Sequence, residues 1–395
     1  MVKKFLIALL LLPTWLLWLF VSQYLLCARF QFEEPVPFEG NNIYNPYESV
    51  DSSNWKKCNF HAHSEAWNGA TNGQGTALDV HKAYQKLQYK IHCVSNYHYI
   101  DTTGAFDRSY IPAYEHGYNL RKTHQLVLGS HKVQWLDYIF PQTLHNKQHV
   151  LQQLYEANSV VILNHPGLRN GYTVDDFSAL SGYQCMEVLN PSIISTKEWD
   201  AALSAGKKTF IVGNDDIHNV LAKERLGTMC TFVNVKDDNS KNVLKALKTG
   251  KSYGVVLGKT QEINAVPVLL GMTVRNDTMT IKMSDSAQDA TLTGQNGKEL
   301  ASFKNTSLVR YRIEQKDHYV RATFKYRNGT AIYLNPVFYI PKSGKSETLI
   351  YENVKETTFF RTLGCVIIIL WLLILWRVVT PNRGQHDPRR RLSLR

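Results

Sequence analysis

The chain has 395 residues, which is long for one average domain, and 20% of them are charged and 44% hydrophobic, as in folded proteins. The formal net charge is +12, but the excess of Lys and Arg is concentrated at the two chain ends. A nucleic-acid-binding protein is therefore not expected, because its basic residues would form a patch or stripe on the folded domain.

The N-terminal segment, residues 1–29, is predicted to be a membrane anchor. Lys3 and Lys4 precede an apolar run over residues 5–27. This run is long enough to cross a hydrocarbon core of about 30 Å as a helix. The alternative is a cleaved signal peptide, which has a shorter apolar region followed by a small-x-small cleavage site. No such site ends this run, so an uncleaved anchor is expected.

A second membrane helix is predicted at residues 362–379, where Arg377 alone interrupts an apolar run. The tail that follows, residues 380–395, is basic, so both anchors carry their Lys and Arg on the outer side of the chain. The positive-inside rule then places both termini in the cytoplasm and the main domain in the periplasm or outside the cell. The chain is thus expected to be an integral membrane protein.

Between the anchors, linkers at residues 30–53 and 343–361 flank two predicted folded regions. In residues 54–258, short apolar runs alternate with helical patterns, which predicts an α/β fold with a mainly parallel sheet or barrel. Thr76 and Asp79 form a capping box that begins a helix ending at Lys86. The other predicted elements are strands at 91–94, 126–128, 160–163, 186–189 and 209–212, and helices at 150–157 and 197–205.

Residues 259–342 are predicted to form a small antiparallel β-sandwich. Residues 278–283 alternate in the manner of a strand. Asn296-Gly297 and Asn328-Gly329 lie between strand-like runs, which is a strong signal for hairpin turns.

Four cysteines lie between the anchors, at positions 58, 93, 185 and 230. A compartment outside the cytoplasm permits disulfides among them. Buried free thiols are an equally good interpretation, because free cysteine is among the most buried residue types.

Histidine and aspartate recur at the ends of the predicted strands. The candidate ligands are His61, His63, His98, His131, His165, Asp216 and His218. The C-terminal ends of parallel strands in a β/α barrel meet at one face, where imidazoles and a carboxylate can bind a borderline divalent metal. Four other histidines, His116, His124, His149 and His318, are interpreted as ordinary core or surface residues, and His145 is ambiguous.

The order of these motifs resembles the PHP domain family, named for polymerase and histidinol phosphatase, over about residues 54–257. Residues 60–64 are similar to the family's HxH motif, residues 163–166 to its HP motif and residues 214–218 to its DxH motif. Residues 244–253 are similar to the helix and Gly-x-x-Tyr sequence that end the barrel. The resemblance implies a distorted seven-stranded barrel that holds one to three metal ions. It also implies metal ligands at His61, His63, His98, His165, Asp216 and His218.

The chain departs from the family pattern at acidic positions. Asn68 stands where an Asp is usual, and His131 stands where a bridging glutamate is expected. Asn68, Glu187 and His145 are candidate pocket residues, although Glu187 is equally well interpreted as an ordinary hydrogen-bonded carboxylate. With Asp216 as the single anionic ligand, one ion or at most two is expected, because neighbouring dications need carboxylates between them. Nitrogen donors favour zinc or iron over manganese or magnesium.

The resemblance implies a membrane-anchored, metal-dependent hydrolase that cleaves phosphate esters of a small phosphorylated or surface-derived substrate. His165 or His218 is the candidate proton donor to the leaving oxygen. The alternative is an inactive PHP-like metal-binding protein that acts as a surface interaction module through its β-sandwich, since loss of carboxylates can remove turnover while the fold is kept.

Overall fold

The computed structural model of the protein describes residues 2–156, 159–258, 266–342 and 350–380, with side chains described from Leu10 onward. Its contacts divide the chain into two compact units. The terminal unit contains Met1–Gln31 and Tyr351–Arg395, and the central unit is Phe32–Ile350. The predicted barrel and the predicted β-sandwich therefore lie in the same unit, and a boundary between them near residue 258 stays a prediction.

Seven α-helices are present in the described residues. They are α1 (Val2–Tyr24), α2 (Ala77–Lys86), α3 (Leu144–Leu154), α4 (Asp176–Ala179), α5 (Thr196–Ser204), α6 (Ser240–Lys248) and α7 (Val354–Val379).

The described residues also contain nineteen strands. They are β1 (Phe30–Gln31), β2 (Asn42–Tyr44), β3 (Trp55–Asn59), β4 (Ile91–His92), β5 (Ala113–His116), β6 (Gln125–Leu128), β7 (Val160–Leu163), β8 (Cys185–Asn190), β9 (Ile193–Ile194), β10 (Phe210–Gly213), β11 (Met229–Asn234), β12 (Ser252–Val256), β13 (Leu269–Arg275), β14 (Thr278–Thr293), β15 (Glu299–Arg312), β16 (Tyr319–Lys325), β17 (Ala331–Leu334), β18 (Val337–Ile340) and β19 (Tyr351–Glu352).

The helix starts follow from local capping. The predicted capping box of α2 is confirmed, since the Thr76 hydroxyl accepts from the Asp79 N–H and the Asp79 carboxylate accepts from the Thr76 N–H. A second capping box, formed by Thr143 and Asn146, starts α3 at Leu144, six residues before the predicted start at 150. The last predicted residue of that helix, 157, lies outside the described residues.

The terminal unit is a helix pair joined by a short ladder. The strands β1 and β19 pair antiparallel, with Phe30 opposite Glu352. The Trp371 indole N–H on α7 donates to the Thr14 hydroxyl on α1 at 3.1 Å. By length and composition, α7 is long and apolar enough to cross a membrane. The described side chains of α1 form a shorter apolar helix, Leu10–Tyr24, so one helix of the described chain passes this criterion where two were predicted.

The first sheet of the central unit has six strands in the order β10-β8-β7-β6-β5, with β9 beside β8. The strands β10, β8 and β7 are parallel, as predicted, but β6 runs antiparallel to both β7 and β5. The prediction of a mainly parallel sheet is therefore wrong at this end. Residues 117–124, which join β5 to β6, are too few for the crossover that a parallel pair requires.

The second sheet has eleven strands and continues without a break through both predicted regions. Its main path is β13-β14-β16-β17-β12-β11-β3-β4. The predicted hairpin turns are confirmed, since β14 pairs antiparallel with β15 and β16 with β17. The predicted β-sandwich strands thus belong to the same sheet as β3 and β11.

The two sheets are open, so the predicted barrel is not a continuous ring of ladders. Three isolated β-bridges connect them, Ala62 with Ile217, Gln74 with Asn219, and Tyr97 with Glu115. These bridges join the chain just beyond β3 to the chain beyond β10, and the chain beyond β4 to β5. These ladders and bridges link seven strands, β3 to β8 and β10, in a ring with a seam on each side of β3 and β4.

Buried polar contacts fix the later strands onto the earlier ones. The side chain of Asn335, between β17 and β18, is fully buried. Its Oδ1 accepts from the Ile211 N–H at 2.8 Å, and its Nδ2 donates to the carbonyls of Gly250 and Ser252. The side-chain amide thus links the backbone of β10 to the backbone at the start of β12. The four cysteines of the central unit are buried free thiols.

Candidate metal centre

Two groups of buried ligand-type side chains lie inside the ring of seven strands. Group A contains His61, His63 and Asp216, whose ligand atoms all lie within 4.8 Å of one another. The two histidines follow β3, and Asp216 follows β10. The Nε2 atom of His61 is 3.1 Å from the Nε2 of His63 and 3.2 Å from the Oδ1 of Asp216. Group A thus takes its ligands from both sheets.

Group B contains Glu115, His124 and His165, which meet the same distance criterion. Glu115 lies on β5, His124 immediately precedes β6, and His165 follows β7. The Oε1 atom of Glu115 is 2.8 Å from the Nδ1 of His124 and 3.4 Å from the Nε2 of His165.

Glu115 faces both groups with different oxygens. Its Oε2 atom is 3.1 Å from the Nε2 of His63 and 3.4 Å from the Nε2 of His61, while its Oε1 atom lies in group B. Within the described residues, Oε2 is buried without a hydrogen-bond partner. A buried carboxylate oxygen in that state costs free energy unless a cation compensates it. Four imidazoles and two carboxylates around one enclosed space fit divalent metal ions.

The carboxylates and imidazoles of the centre stabilise one another in their charged forms. Burial by itself would raise the pKa of Glu115, but His124 and His61 outweigh burial and hold that pKa well below its usual range. The pKa of Asp216 is likewise held well below its usual range, because His61 and His218 outweigh burial. Burial acts to lower the pKa of His61, yet the carboxylates around it raise that pKa well above its ordinary value. The space between these groups therefore stabilises concentrated charge.

Glu187 orients His61 from behind. The Oε1 of Glu187 is 2.9 Å from the Nδ1 of His61 and also accepts from the Nδ2 of Asn214. Its Oε2 accepts from the His165 backbone N–H and from the Nδ2 of Asn190. A carboxylate on Nδ1 leaves the lone pair of the His61 Nε2 directed into the centre. Glu187, a candidate pocket residue from the sequence, is thus placed as a support for a ligand.

The loop that carries Asp216 is held by the carboxylate of Asp215. That carboxylate is fully buried and accepts from the backbone N–H groups of Gly227, Thr228 and Met229. Burial raises the pKa of Asp215 to about 6, against the effect of these donors. Asp216 itself has a φ of 48°, and His165 has a φ of 30°, both in the left-handed region. Such backbone is costly and persists where the surroundings impose it, often at functional sites.

The structure places the remaining predicted ligands at different distances from the centre. The Nε2 of His218 is 3.4 Å from the Oδ1 of Asp216, and its side chain is 28% exposed, so it lies at the mouth. His98 lies outside both groups. Its Nδ1 is 3.1 Å from the Gln134 carbonyl, and its Nε2 accepts from the Gly117 N–H, so both ring nitrogens are engaged.

Three further predicted residues lie away from both groups. His131 is exposed and follows the C-terminal end of β6. Asn68 is exposed in a turn after the two group A histidines, and His145 lies on α3 with its ring 5.4 Å from that of Phe32. The sequence predicted His131 at a bridging position. Instead, β6 runs in the reversed direction, so the C-terminal end of β6, with His131 after it, points away from the centre.

Sequence reasoning missed Glu115 and His124. The strand β5 reads Ala-Tyr-Glu-His, with no apolar run to indicate a strand, although all four residues are buried. His124 precedes β6, and it was interpreted as an ordinary histidine because ligands were expected at the C-terminal ends of strands. In an antiparallel strand, the N-terminal end lies at the face where the neighbouring parallel strands end. A histidine before a strand is the corresponding signal.

No protein-family model and no curated protein sequence matches the chain. A solved two-domain protein from Bacteroides vulgatus, described as containing a predicted PHP-like metal-dependent phosphoesterase, covers 79% of this chain and 99% of its own length. The two chains are 12% identical and superpose with a TM-score of 0.40.

Proposed function

We propose that this protein is a metal-dependent hydrolase of phosphate esters, of the PHP type. The observation that carries the proposal is Glu115, whose two oxygens face two adjacent groups of metal-ligating side chains. Divalent ions held there would neutralise charge on phosphoryl oxygens and make water more acidic. The HxH, HP and DxH motifs of the sequence support the same conclusion.

Groups A and B would each hold one ion, with Glu115 shared between them. A shared carboxylate supplies the negative charge that two neighbouring dications need. Four of the six donors are imidazoles, which favours zinc or iron over manganese or magnesium. The number of ions is thus two, the upper limit expected from the sequence.

Two residues at the mouth suit the handling of a phosphate ester. His218, partly exposed and beside Asp216, is placed to donate a proton to a leaving oxygen, whereas His165 is buried within group B. The Lys122 ammonium lies 5.6 Å from the centre of the Tyr97 ring, which stacks on His63. This cation is placed to attract an anionic substrate.

The proposal is tested with the purified full-length chain in detergent, stripped by a chelator and reloaded with Zn²⁺, Fe²⁺, Mn²⁺ or Mg²⁺ in turn. We expect elemental analysis to find about two ions per chain, with zinc or iron restoring hydrolysis of p-nitrophenyl phosphate or its diester better than magnesium. A chain that holds two ions and cleaves neither ester would contradict the proposal. It would favour the alternative of a metal-binding interaction module.

We further propose that α7 and α1 anchor the protein, with both termini cytoplasmic and the central unit outside. The length and composition of α7 support this, as do Lys3, Lys4 and the basic tail. A green fluorescent protein fused after Arg395 should fluoresce. An alkaline phosphatase inserted in the exposed turn between β13 and β14 should be active, and exchange of the two reporters should silence both. Reporter activity in the opposite pattern would refute this topology.

A further inference from the structure

Three exposed aromatic side chains form a cluster outside the metal centre, here called the aromatic platform: Trp67, Tyr99 and Trp135. The ring of Trp67 is 5.9 Å from that of Tyr99 and 5.9 Å from that of Trp135, with planes at 68° and 70°. The three residues are 46%, 42% and 57% exposed. Exposed aromatic residues that contact one another are typical of a binding surface, whereas single exposed aromatic residues are common on any protein surface.

Direct contacts join the aromatic platform to the metal centre. The Trp67 indole N–H donates to the Tyr97 carbonyl at 2.8 Å, and the Tyr97 ring stacks on His63 of group A at 4.7 Å. The ring of Trp135 also stacks on the ring of His98, whose two nitrogens are both hydrogen-bonded. The ring centres are 5.2 Å apart and the planes are at 17°. Only Tyr97 therefore separates the platform from a candidate metal ligand.

The platform is held in place at some cost. Trp67 has a φ of 55° and Asn68 a φ of 53°. A bulky residue in the left-handed region is an outlier that the surrounding contacts must maintain. The strained turn presents the indole to solvent beside the centre instead of burying it, which is what a recognition surface requires.

We propose that the aromatic platform stacks on the alcohol part of the substrate, so that the substrate is a phosphate ester whose alcohol carries a flat ring face. This inference rests on the proposed function of the metal centre. A phosphate bound at groups A and B would bring its alcohol close to Tyr97, and Trp67 of the platform contacts Tyr97 directly. A nucleoside and a pyranose both offer such a ring face, and glycerol does not.

The test measures binding by calorimetry to the zinc-loaded full-length chain. The probes are non-hydrolysable phosphonate analogues of adenosine 5′-monophosphate, glucose 6-phosphate and glycerol 3-phosphate. At least one ring-bearing analogue should bind about tenfold more tightly than the glycerol analogue. The adenosine and glucose arms distinguish a nucleoside from a pyranose. Trp67→Ala and Trp135→Ala should each remove most of this preference and leave binding of the glycerol analogue unchanged.

Two matched variants control for damage to the fold. Trp67→Phe keeps a ring and should retain most of the preference, and Tyr155→Ala removes an exposed aromatic residue near the other end of β7 and should have no effect. Metal content should be unchanged in all variants. Equal affinity for the three analogues, absence of binding by both ring-bearing analogues, or equal weakening of all three in the tryptophan variants would overturn the inference. Binding that depends on the platform, without hydrolysis of any ester, would refute the proposed function but not the assignment of the platform as a binding surface for a ring.

Discussion

Glu115→Gln should lower the metal content from about two ions per chain to one or fewer and reduce hydrolysis by at least about 100-fold. The substitution keeps the shape of the side chain but removes the one carboxylate that faces both group A and group B. Without that charge, two dications would lie beside each other with Asp216 as the only anion among the six ligands. Elemental analysis and kcat/KM on the same preparation measure both effects.

The matched control is Glu314→Gln, which changes an exposed carboxylate far along the chain, before β16, and should leave both quantities as in the wild type. Circular dichroism should show that the Glu115→Gln chain is folded. If that folded chain retained two ions and full hydrolysis, the assignment of Glu115 as the shared ligand would be wrong.

His124→Ala should remove the ion of group B and lower kcat/KM by about 100-fold, whereas His131→Ala should change neither. The imidazole of His124 is buried, with its Nδ1 2.8 Å from the Oε1 of Glu115, and His131 is exposed. The pair compares two histidines that flank the same strand, β6. Elemental analysis after loading with a small excess of Zn²⁺ measures the number of ions per chain and so detects the lost ion.

A decrease of metal content in the His131→Ala chain, with His124→Ala unaffected, would restore the assignment made from the sequence. Equal effects of both substitutions would indicate general destabilisation, which a thermal melt of each variant detects.

The elements that are strongly marked in the sequence were predictable. Runs of mainly apolar residues located β7, β8 and β10, and a complete capping box located α2. The Asn-Gly pairs located two hairpin turns because only a few residue types accept their backbone conformation. These signals are local, so one segment of sequence contains them.

Strand direction is not a local property, and the difference between the predicted His131 and the observed His124 comes from it. The HxH and DxH residues were found because β3 and β10 end at the centre. The reversal of β6 exchanges the roles of the residues before and after that strand, which substitutes His124 for His131. Glu115 was missed for a different reason, since β5 is buried through its surroundings and not through an apolar sequence. Deciding either point requires knowledge of which strands are neighbours.

Because its candidate ligands lie on both sides of the seams between the sheets, a bound metal would also stabilise the fold. Each seam is a few isolated β-bridges and backbone hydrogen bonds, such as His63 N–H to the Ile217 carbonyl and His98 N–H to the Glu115 carbonyl, and not a continuous ladder. Group A takes His61 and His63 from one side of a seam and Asp216 from the other, and Glu115 reaches toward it from β5. An ion coordinated by these residues would add a cross-link to these few backbone contacts, so part of its binding free energy would stabilise the ring of strands. Removal of the metal would then weaken the fold as well as abolish the chemistry of the site.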